Sequence, residues 1–533
     1  MKQLFFGFII FSLLFTSCHK KKTTWNSDWS VPIVNDTLSL DKYVKNSTLS
    51  VSNSGFYELN YNRTILDFNL VDIVKIPDTT ISKSLGIAFS NFTLEPGTSF
   101  VNSIEEHNMN VAGVELKKIR LAKGFLDITL KNPINTAVIF NMKLPGVSLN
   151  GIDYEKNYTV PAGTNANPGV IEATVDISGY EIVLTGVSGG GFNIIQSKYS
   201  VTTDPNGITT SMTDQDITKV LIKFRGLNID YARGYFGDKI ISDTTQSTID
   251  ILNNISGGTI DLPASRLKFT ITNGMKIPAK TTLSLVKNIN QNGTSVPLLV
   301  NSQSTIQLGE SFNLDPATGS WSTLSNSKKV FEFNASNSNL EQYLENLGAT
   351  QEIGYSIQLN PWGNSSGGWN EIFPTSRLKV EVEASMPLTI GLNGLTLKNS
   401  FDFNLKQNTE KTHAVSGNLI LQATNAFPMS GKITLDLLDI DGNVLFKVLG
   451  SEVFQSSLFG NTVSKNVKTC ISTVHFILSK EIITKLDLIK KVSIISEFNT
   501  PEPTTLINGQ VKIPEGAFLG VKLKGDFKIE NRY

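Results

Sequence analysis

Ser188 has the spacing of a catalytic nucleophile. Residues 186–190 read Gly-Val-Ser-Gly-Gly, which has the Gly-x-Ser-x-Gly spacing of a hydrolase serine. That motif places its serine on a sharp turn that opens a helix, so that the hydroxyl is exposed to a neighbouring base. Here Gly191 and the residues after it are typical of a turn followed by a strand. We therefore predict a flexible turn and assign no catalytic residue.

The histidines and cysteines of the chain do not form a metal-binding motif. The four histidines lie far apart, and no zinc motif of the His-Glu-x-x-His or paired-cysteine type occurs. Residues 439–443 begin like a calcium loop, but Val444 and Gly450 stand where that loop needs glycine and glutamate. Asp441 and Gly442 between two apolar runs instead predict a β-hairpin turn. We predict no metal site and no cofactor.

Trp362 and Trp369 are the candidate binding residues. They flank the polar, glycine-rich segment 363–368. Paired aromatic side chains on such a loop stack on sugars or insert into a partner's pocket. In the structural alternative, each ring fills the end of a sandwich. Both interpretations stay open, and glycoside hydrolysis gains no support because its carboxylate pair is recognised only by a separation in space.

The two cysteines lie in different settings. Residues 4–15 form an apolar run after Met1 and Lys2, shorter than the roughly 20 residues that a membrane helix needs. This pattern is typical of a signal peptide, and it ends at Phe-Thr-Ser before Cys18. Cys470 lies in an alternating run, where a single cysteine is usually a small buried hydrophobe.

Residues 15–18 resemble the lipobox of bacterial lipoproteins, although Phe15 replaces the usual leucine. The resemblance implies that residues 1–17 are removed and that Cys18 is acylated, which anchors the protein without a spanning helix. The richness in Asn, Phe, Ile and Lys is similar to that of lipoproteins of the Bacteroidota, which implies the outer membrane.

The residues after Cys18 bear on the side of the membrane. In that group, acidic residues soon after the acylated cysteine accompany surface display, whereas residues 19–24 here read His-Lys-Lys-Lys-Thr-Thr. The resemblance thus implies a periplasm-facing protein. It also implies O-glycosylation at Asp-Thr sites, which match at Thr37, Thr79 and Thr244. We expect these threonines in exposed loops, because a glycan must stay solvated.

Charge and hydrophobicity exclude one class of partner and favour a large core. The 47 basic residues balance the 47 acidic residues, so the chain lacks the excess positive charge that binds nucleic acid. Apolar residues make up 40% of the chain and charged residues only 18%, below the roughly 25% of an average globular protein. We predict several folded domains rather than a disordered chain.

The apolar residues alternate with polar ones along most of the chain, which is typical of strands with one buried face. We predict only two short helices, at residues 339–347 and 480–490. A strand, a turn with Asn or Pro and a second strand recur around Asn132, Asn273 and Asn425, with a looser fourth copy at residues 378–387. The sequence predicts an all-β fold of tandem β-sandwich modules, with proline confined to the turns.

The repeated pattern of a strand, a turn with Asn or Pro and a second strand is similar to the β-sandwich of late-embryogenesis-abundant type 2 proteins, where an Asn-Pro pair follows the first conserved strand. Residues 234–237, 360–363 and 425–428 resemble blocks in uncharacterised Bacteroidota outer-membrane lipoproteins, which implies no known activity. We divide the sequence into the signal peptide (1–17), an N-terminal β region (18–120), sandwich modules (121–310), a β module with a helix (311–408) and a C-terminal sandwich (409–533).

These patterns favour a non-enzymatic role in the cell envelope. We expect a lipid-anchored interaction or structural module, such as an accessory subunit of an outer-membrane assembly or secretion machine. Its expected partners are the membrane, through Cys18, and envelope proteins. Two alternatives stay open: a periplasmic carrier of hydrophobic ligands, because many Phe and Ile residues suit a groove as well as a core, and a glycan-binding surface protein.

Overall fold

The computed structural model describes residues 24–39, 49–88, 91–248, 259–262, 264–302, 304, 306–403, 412–501 and 510–532. Nearly all regular structure in these residues is β, which confirms the all-β prediction. Three short α-helices occur in the described residues, one more than the sequence predicted.

The strands of the first half follow the alternating segments of the sequence. They are β1 (Thr24–Ser39), β2 (Leu49–Val51), β3 (Tyr57–Phe68), β4 (Thr79–Leu85), β5 (Phe92–Leu94), β6 (Ser99–Asn108), β7 (Glu115–Asn132), β8 (Val138–Leu149), β9 (Ile152–Val160), β10 (Gly169–Asp176), β11 (Glu181–Val183), β12 (Ile194–Thr203), β13 (Thr210–Met212), β14 (Thr218–Tyr235), β15 (Lys239–Thr248) and β16 (Thr259–Asp261).

The second half continues in the same way. Its strands are β17 (Arg266–Asn273), β18 (Ala279–Ile289), β19 (Ser295–Pro297), β20 (Ser311–Leu314), β21 (Ser327–Phe333), β22 (Thr350–Leu359), β23 (Asn370–Ile372), β24 (Leu378–Pro387), β25 (Thr389–Asn393), β26 (Leu395–Asp402), β27 (Thr412–Asn425), β28 (Ser430–Leu438), β29 (Val444–Leu449), β30 (Thr462–Ser464), β31 (Val467–Ile477), β32 (Lys491–Asn499), β33 (Val511–Lys512) and β34 (Phe518–Arg532).

The helices are α1 (Leu70–Ile73), α2 (Leu340–Glu345) and α3 (Lys480–Thr484). The last two lie within the predicted ranges but are shorter, and α3 gives way to the 3-10 turn Leu486–Leu488. Ser479 caps α3 as expected, because its side chain accepts a hydrogen bond from the N–H of Ile482.

The strands form three β-sandwich modules. The first module is the sheet β23-β14-β7-β11-β8-β12-β6, with β4, β9 and β10 paired beside it. The middle module joins the sheet β2-β3-β24-β17-β21 to β15-β22-β18-β19, and the last module joins β1-β34-β27-β31-β30 to β26-β32-β28-β29. Alternate side chains of these strands merge into one buried apolar cluster.

The internal repeat recurs as three identical corners, each built on a fully buried asparagine. In each, the side-chain oxygen of the asparagine accepts a hydrogen bond from the backbone N–H two residues later. Its Nδ2 donates to the carbonyl four residues later and to a second carbonyl from a distant loop. The three asparagines with these two acceptors are Asn132 with Thr136 and Pro161, Asn273 with Ile277 and Asp315, and Asn425 with Met429 and Gln455.

The backbone repeats as closely as the side chain. Two residues beyond each distant carbonyl, a backbone N–H donates back to the corner, over 2.8 Å from Gly163 to Ile134, 2.8 Å from Ala317 to Met275 and 3.0 Å from Ser457 to Phe427. The looser fourth copy is not a module. Its strand, β24, lies between β3 and β17 inside the middle module and pairs with both.

The N-terminal strands are distributed over all three modules. β1 pairs with β34 at the end of the chain, β3 pairs with β24, and β4 pairs with β14. The chain therefore contributes a strand to the last module, then to the middle module and then to the first, before it builds the first module itself. Strand pairing thus crosses the ranges 18–120, 311–408 and 409–533 into which we divided the sequence.

Candidate functional site

The first and middle modules are joined by direct strand pairing. β23, which leads into β24 of the middle module, pairs with β14 of the first so that Ala232 lies opposite Ile372. The backbone N–H of Lys276, just after the Asn273 corner, donates to the carbonyl of Glu371 over 2.9 Å. The side chains around this contact, which we call the junction surface, form the candidate site.

Three aromatic rings form the centre of the junction surface. The rings of Tyr231 and Trp321 lie 5.1 Å apart, and Phe373 lies 5.6 Å from each of them. Tyr231 and Phe373 are buried, whereas Trp321 covers them and remains 40% exposed. Such tilted aromatic contacts contribute about 0.5–1.5 kcal/mol each beyond the area that they bury.

Arg120 binds both a ring and a carboxylate. Its guanidinium lies 4.1 Å from the ring of Trp321, and its Nε and Nη2 donate to the two carboxylate oxygens of Asp230 at 2.8 and 2.6 Å. The hydrogen bonds to Asp230 raise the pKa of Arg120 above its usual value, so the stacked cation is permanent. The strand pairing of β7 with β14 places Arg120 directly opposite Tyr231.

Glu371 links the two modules through hydrogen bonds. It accepts from Lys276 Nζ at 2.6 Å and from the hydroxyl of Tyr231 at 2.7 Å. Burial favours the neutral acid, but the bonds from Lys276 and Tyr231, with the charges of Lys276 and Arg233, lower the pKa of Glu371 overall. The carboxylate of Glu371 is therefore charged at neutral pH, and it binds Tyr231 of the first module and Lys276 of the middle module.

Trp369 stands at the rim of the junction surface with 59% of its side chain exposed. Lys117 Nζ lies 5.3 Å from the ring centroid, and the guanidinium carbon of Arg233 lies 4.8 Å from it. In the described ranges neither cation has a carboxylate within 4.0 Å, and the buried Nε of Arg233 has no hydrogen-bond partner. The rim thus combines an exposed indole with two cations that form no salt bridge with a described carboxylate.

The loop before β23 holds Trp369 in place. The backbone N–H of Gly368 donates to Asn364 Oδ1 at 2.7 Å, and Asn370 Nδ2 donates to Asn360 Oδ1 at 2.7 Å. Gly368 has φ of +82°, and a Cβ there would approach Lys117 Cε to 2.9 Å. This left-handed backbone conformation favours glycine, whereas the contact with the flexible end of Lys117 would yield to a larger residue.

Of the two predicted binding residues, Trp369 belongs to the junction surface, whereas Trp362 makes no ring contact with a described residue. Both side chains are more than half exposed, so neither fills the end of a sandwich. The sequence analysis missed Arg120, Arg233 and Trp321. The one feature of the sequence that could have indicated these residues is Trp321 in a turn-rich stretch. Side chains that stack across neighbouring strands follow no period along the sequence.

The remaining predicted sites lie elsewhere. Cys18 is outside the described residues. Thr37, Thr79 and Thr244 lie in strands β1, β4 and β15 rather than in loops; Thr244 is exposed, and Thr37 and Thr79 are partly buried. Cys470 is partly rather than fully buried in β31.

The remaining chemical motifs have structural settings. Ser188 lies in a turn before β12, and the hairpin at Asp441 and Gly442 joins β28 to β29 as predicted. Within the described ranges, no cluster of three or more His, Cys, Asp or Glu side chains is suited to a metal ion. No helix in the described part of the chain has the length and apolar character needed to cross a membrane.

Two cavities lie on the outer face of the last module. One of about 650 Å³ is lined by Asp28, Lys524 and Asp526 among others, and one of about 570 Å³ by His475, Gln422 and Lys522. Both linings mix apolar side chains with charged and polar ones in about equal parts, whereas pockets for hydrophobic ligands are typically lined mostly by apolar side chains.

No protein-family model and no curated protein matches this chain. Among solved structures, a protein described as secreted, from Parabacteroides distasonis, is 12% identical over 68% of this chain and 99% of that chain, with a TM-score of 0.17. The structure of infectious bursal disease virus, Gx strain, is 9% identical over 86% of this chain and 80% of that one, with a TM-score of 0.12. At these TM-scores neither similarity supports an inference about this chain.

Proposed function

We propose that the protein is a lipoprotein of the cell envelope, acylated at Cys18 and held at the outer membrane on its periplasmic side, that acts as a non-enzymatic interaction module. The observation that carries the interaction role is the rim of the junction surface. An indole that is 59% exposed lies against two cations that bind no carboxylate in the described residues.

The chemistry of the rim defines the partner. Trp and Arg dominate the binding energy of protein interfaces, because they combine apolar area with directional charge. A partner segment with an acidic side chain beside an apolar one suits the rim, since the carboxylate meets Lys117 and Arg233 while the apolar group covers Trp369. We therefore propose an envelope protein with such a segment as the partner.

Several features support a rigid binding surface rather than an adaptable one. Trp321 and Arg120 are stacked, Glu371 is held by two donors, and the loop around Gly368 is fixed by hydrogen bonds. A preorganised surface loses less conformational entropy when it binds. The partner then docks on a surface whose geometry is set by the junction of two modules.

The test of the interaction is a capture experiment in a Bacteroidota host. The chain is expressed with a C-terminal tag and a photo-crosslinking residue in place of Ser366, beside Trp369. We expect one envelope protein to be cross-linked in stoichiometric yield. Trp369→Ala and Arg233→Gln should each lower that yield about tenfold, the equivalent of about 1.4 kcal/mol.

The matched control is Phe459→Ala, which removes an aromatic side chain that is 52% exposed in the last module. Its cross-linking yield should equal that of the wild type. An unchanged yield in the Trp369 and Arg233 variants, or equal losses in the control, would contradict an interaction at the rim. Added salt should weaken capture, because two cations take part.

Acylation at Cys18 is tested separately. Cells that express the wild type or Cys18→Ser are grown with an alkyne fatty acid, and the purified protein is examined for the label. We expect label and membrane fractionation in the wild type and neither in the variant. Equal labelling of both proteins would show that Cys18 is not the acylated residue.

A further inference from the structure

The last module has two different ends. At the joined end, β1 finishes with Ser39 opposite Phe518, and the Asn425 corner connects the two sheets. At the other end, which we call the free end, β1 begins with Thr24 opposite Arg532, and β27 begins with Thr412 opposite Asn531. The middle module attaches at the joined end, where β25 pairs with β33.

The second sheet of the last module has its corresponding turns at the same free end. β26 finishes there with Asp402 opposite Lys491, the first residue of β32. Leu438, the last residue of β28, also lies opposite Lys491, so the hairpin of residues 439–443 projects from this end. The segment with α3, between β31 and β32, closes the same end.

Large apolar side chains are exposed at and beside the free end. Trp25 and Trp29 lie four residues apart in β1 and therefore on the same side of the strand. Ile440 is at the tip of the hairpin and Leu488 in the segment that follows α3. Their exposed fractions are 49% for Trp25, 51% for Trp29, 70% for Ile440 and 55% for Leu488.

Charged side chains lie beside these apolar groups. Exposed lysines at positions 480, 485, 490 and 491 lie in the segment between β31 and β32 or directly after it. Acidic residues at positions 439, 441, 481 and 487 balance their charge, and Glu481 pairs with Lys485 at 2.8 Å. Trp and Lys at the edge of an apolar patch are typical of side chains at a membrane interface.

The free end is also the end nearest to the proposed lipid. Six residue steps separate Cys18 from Thr24, and a fully extended chain of that length spans at most about 21 Å. A lipid on Cys18 therefore holds the start of β1 close to the bilayer. The opposite end of the module is occupied by the middle module.

We infer that the free end of the last module is a membrane-contact surface, with Trp25, Trp29, Ile440 and Leu488 in the headgroup region of the bilayer. This inference rests on the lipid anchor at Cys18 proposed above. The last module then touches the bilayer, and the middle module, which attaches at the joined end, lies farther from it.

The test uses the five tryptophans of the chain as reporters. The mature chain with Cys470→Ser, so that Cys18 carries the only thiol, is coupled to a maleimide phospholipid in liposomes of phosphatidylethanolamine and phosphatidylglycerol. Brominated phospholipids in the same liposomes quench only tryptophans at the bilayer. We expect quenching that disappears in the Trp25→Phe, Trp29→Phe double variant and persists when Trp321, Trp362 and Trp369 are all changed to Phe.

A second pair of variants keeps all five reporters. Ile440→Glu with Leu488→Glu places charges in the proposed contact and should reduce quenching at least twofold. The control is Val463→Glu, a change at a residue that is 72% exposed near the joined end, and it should leave quenching unchanged. Absence of quenching in the tethered protein, or quenching that survives loss of Trp25 and Trp29, would overturn the inference.

The two proposals fail in different experiments. The maleimide lipid supplies the anchor chemically, so the quenching assay reports on the contact surface even if cells do not acylate Cys18. Loss of fatty-acid label in cells with normal quenching would contradict only the proposed lipoprotein. Normal label without quenching would contradict only the membrane-contact surface.

Discussion

Each module contains one buried asparagine whose side chain bonds to backbone groups that no neighbouring strand pairs. The carboxamides of Asn132, Asn273 and Asn425 satisfy the backbone at a corner where the chain passes from one strand to the next. Buried carbonyls without a donor are costly, at about 1–3 kcal/mol each. One side chain thus stabilises two segments that are distant in sequence.

Asn425→Ala should destabilise the last module by about 3 kcal/mol. It removes the donor to the carbonyls of Met429 and Gln455 and the acceptor for the N–H of Phe427. Urea unfolding followed by circular dichroism measures the loss. Asn206→Ala, at an exposed turn, is the control and should change stability by less than about 0.5 kcal/mol. Equal effects of the two changes would show that the corner is not structural.

His107 makes the first module sensitive to acid. Its ring bonds to Ser197 Oγ at 2.7 Å, and burial lowers its pKa, against the opposing charge of nearby Glu105. The unfolded chain therefore takes up a proton near pH 6.5 while the folded histidine does not, so stability falls as the pH drops below about 6.5. The charge of Lys83, which pairs with Glu105 at 2.7 Å, also lowers the pKa of His107, because it repels the protonated ring.

His107→Gln should reduce this acid sensitivity. The loss of unfolding free energy between about pH 7 and about pH 5 should be smaller in the variant than in the wild type, because the variant has no proton to take up at this site. Urea midpoints at the two pH values provide the measurement. An equal loss of unfolding free energy in the variant and the wild type would contradict this role of His107.

Single residues differ in how well the sequence reveals them. The corner asparagines could be predicted, because a strand, an Asn turn and a strand form a local pattern that recurs three times. Arg120 and Arg233 could not, because each faces its tryptophan only after β7, β14 and two loops have come together. Trp369 was predicted from its loop, but its cations were not.

At the level of elements, short segments without alternation escaped prediction. α1 has only four residues, yet its capping box is present in the sequence: Asn69 accepts from the N–H of Val71, and Asp72 accepts from the N–H of Asn69. This pattern is a recognised start signal for a helix. The longer strands were predicted because each repeats its buried face many times.

The junction between the first and middle modules should behave as a cooperative contact between elements. A double-mutant cycle with Arg120→Ala and Trp321→Ala should give a coupling free energy of about 1 kcal/mol, because the guanidinium lies 4.1 Å from the ring. Thermal unfolding of the wild type, the two single variants and the double variant measures this coupling free energy. The exposed pair Lys143 and Glu155, 3.2 Å apart, is the control and should give less than about 0.5 kcal/mol.

At the scale of the whole molecule, sequence alone could not supply the partners of the N-terminal strands. Alternation along β1 predicted a strand, but not that Ser30 lies against Asp526, 496 residues away. Pairing between such distant segments depends on complementary faces that many strands of this chain offer. The sequence therefore predicted the modules and their corners but not the strands that the modules exchange.

The closure of the last module by β1 provides the largest-scale prediction. Ser30 and Asp526 are directly paired in the antiparallel ladder, and Ser30 Oγ donates to Asp526 Oδ1 at 2.6 Å. Cysteines at opposed positions lie within disulfide distance. In a Cys18→Ser, Cys470→Ser background, Ser30→Cys with Asp526→Cys should therefore oxidise readily, and proteolysis between the modules should leave the two terminal fragments joined until reduction.

The matched control shifts the register by two residues. Ser30→Cys with Lys528→Cys faces the same side of the sheet, but Lys528 pairs with Asp28 rather than with Ser30. Diagonal positions are about 7–8 Å apart, beyond the usual range of a disulfide. Efficient cross-linking of the first pair and not of the second would establish that the two ends of the chain close one module. Equal yields would instead indicate that β1 is not fixed in this register, and the anchored strand would then not determine which module lies at the membrane.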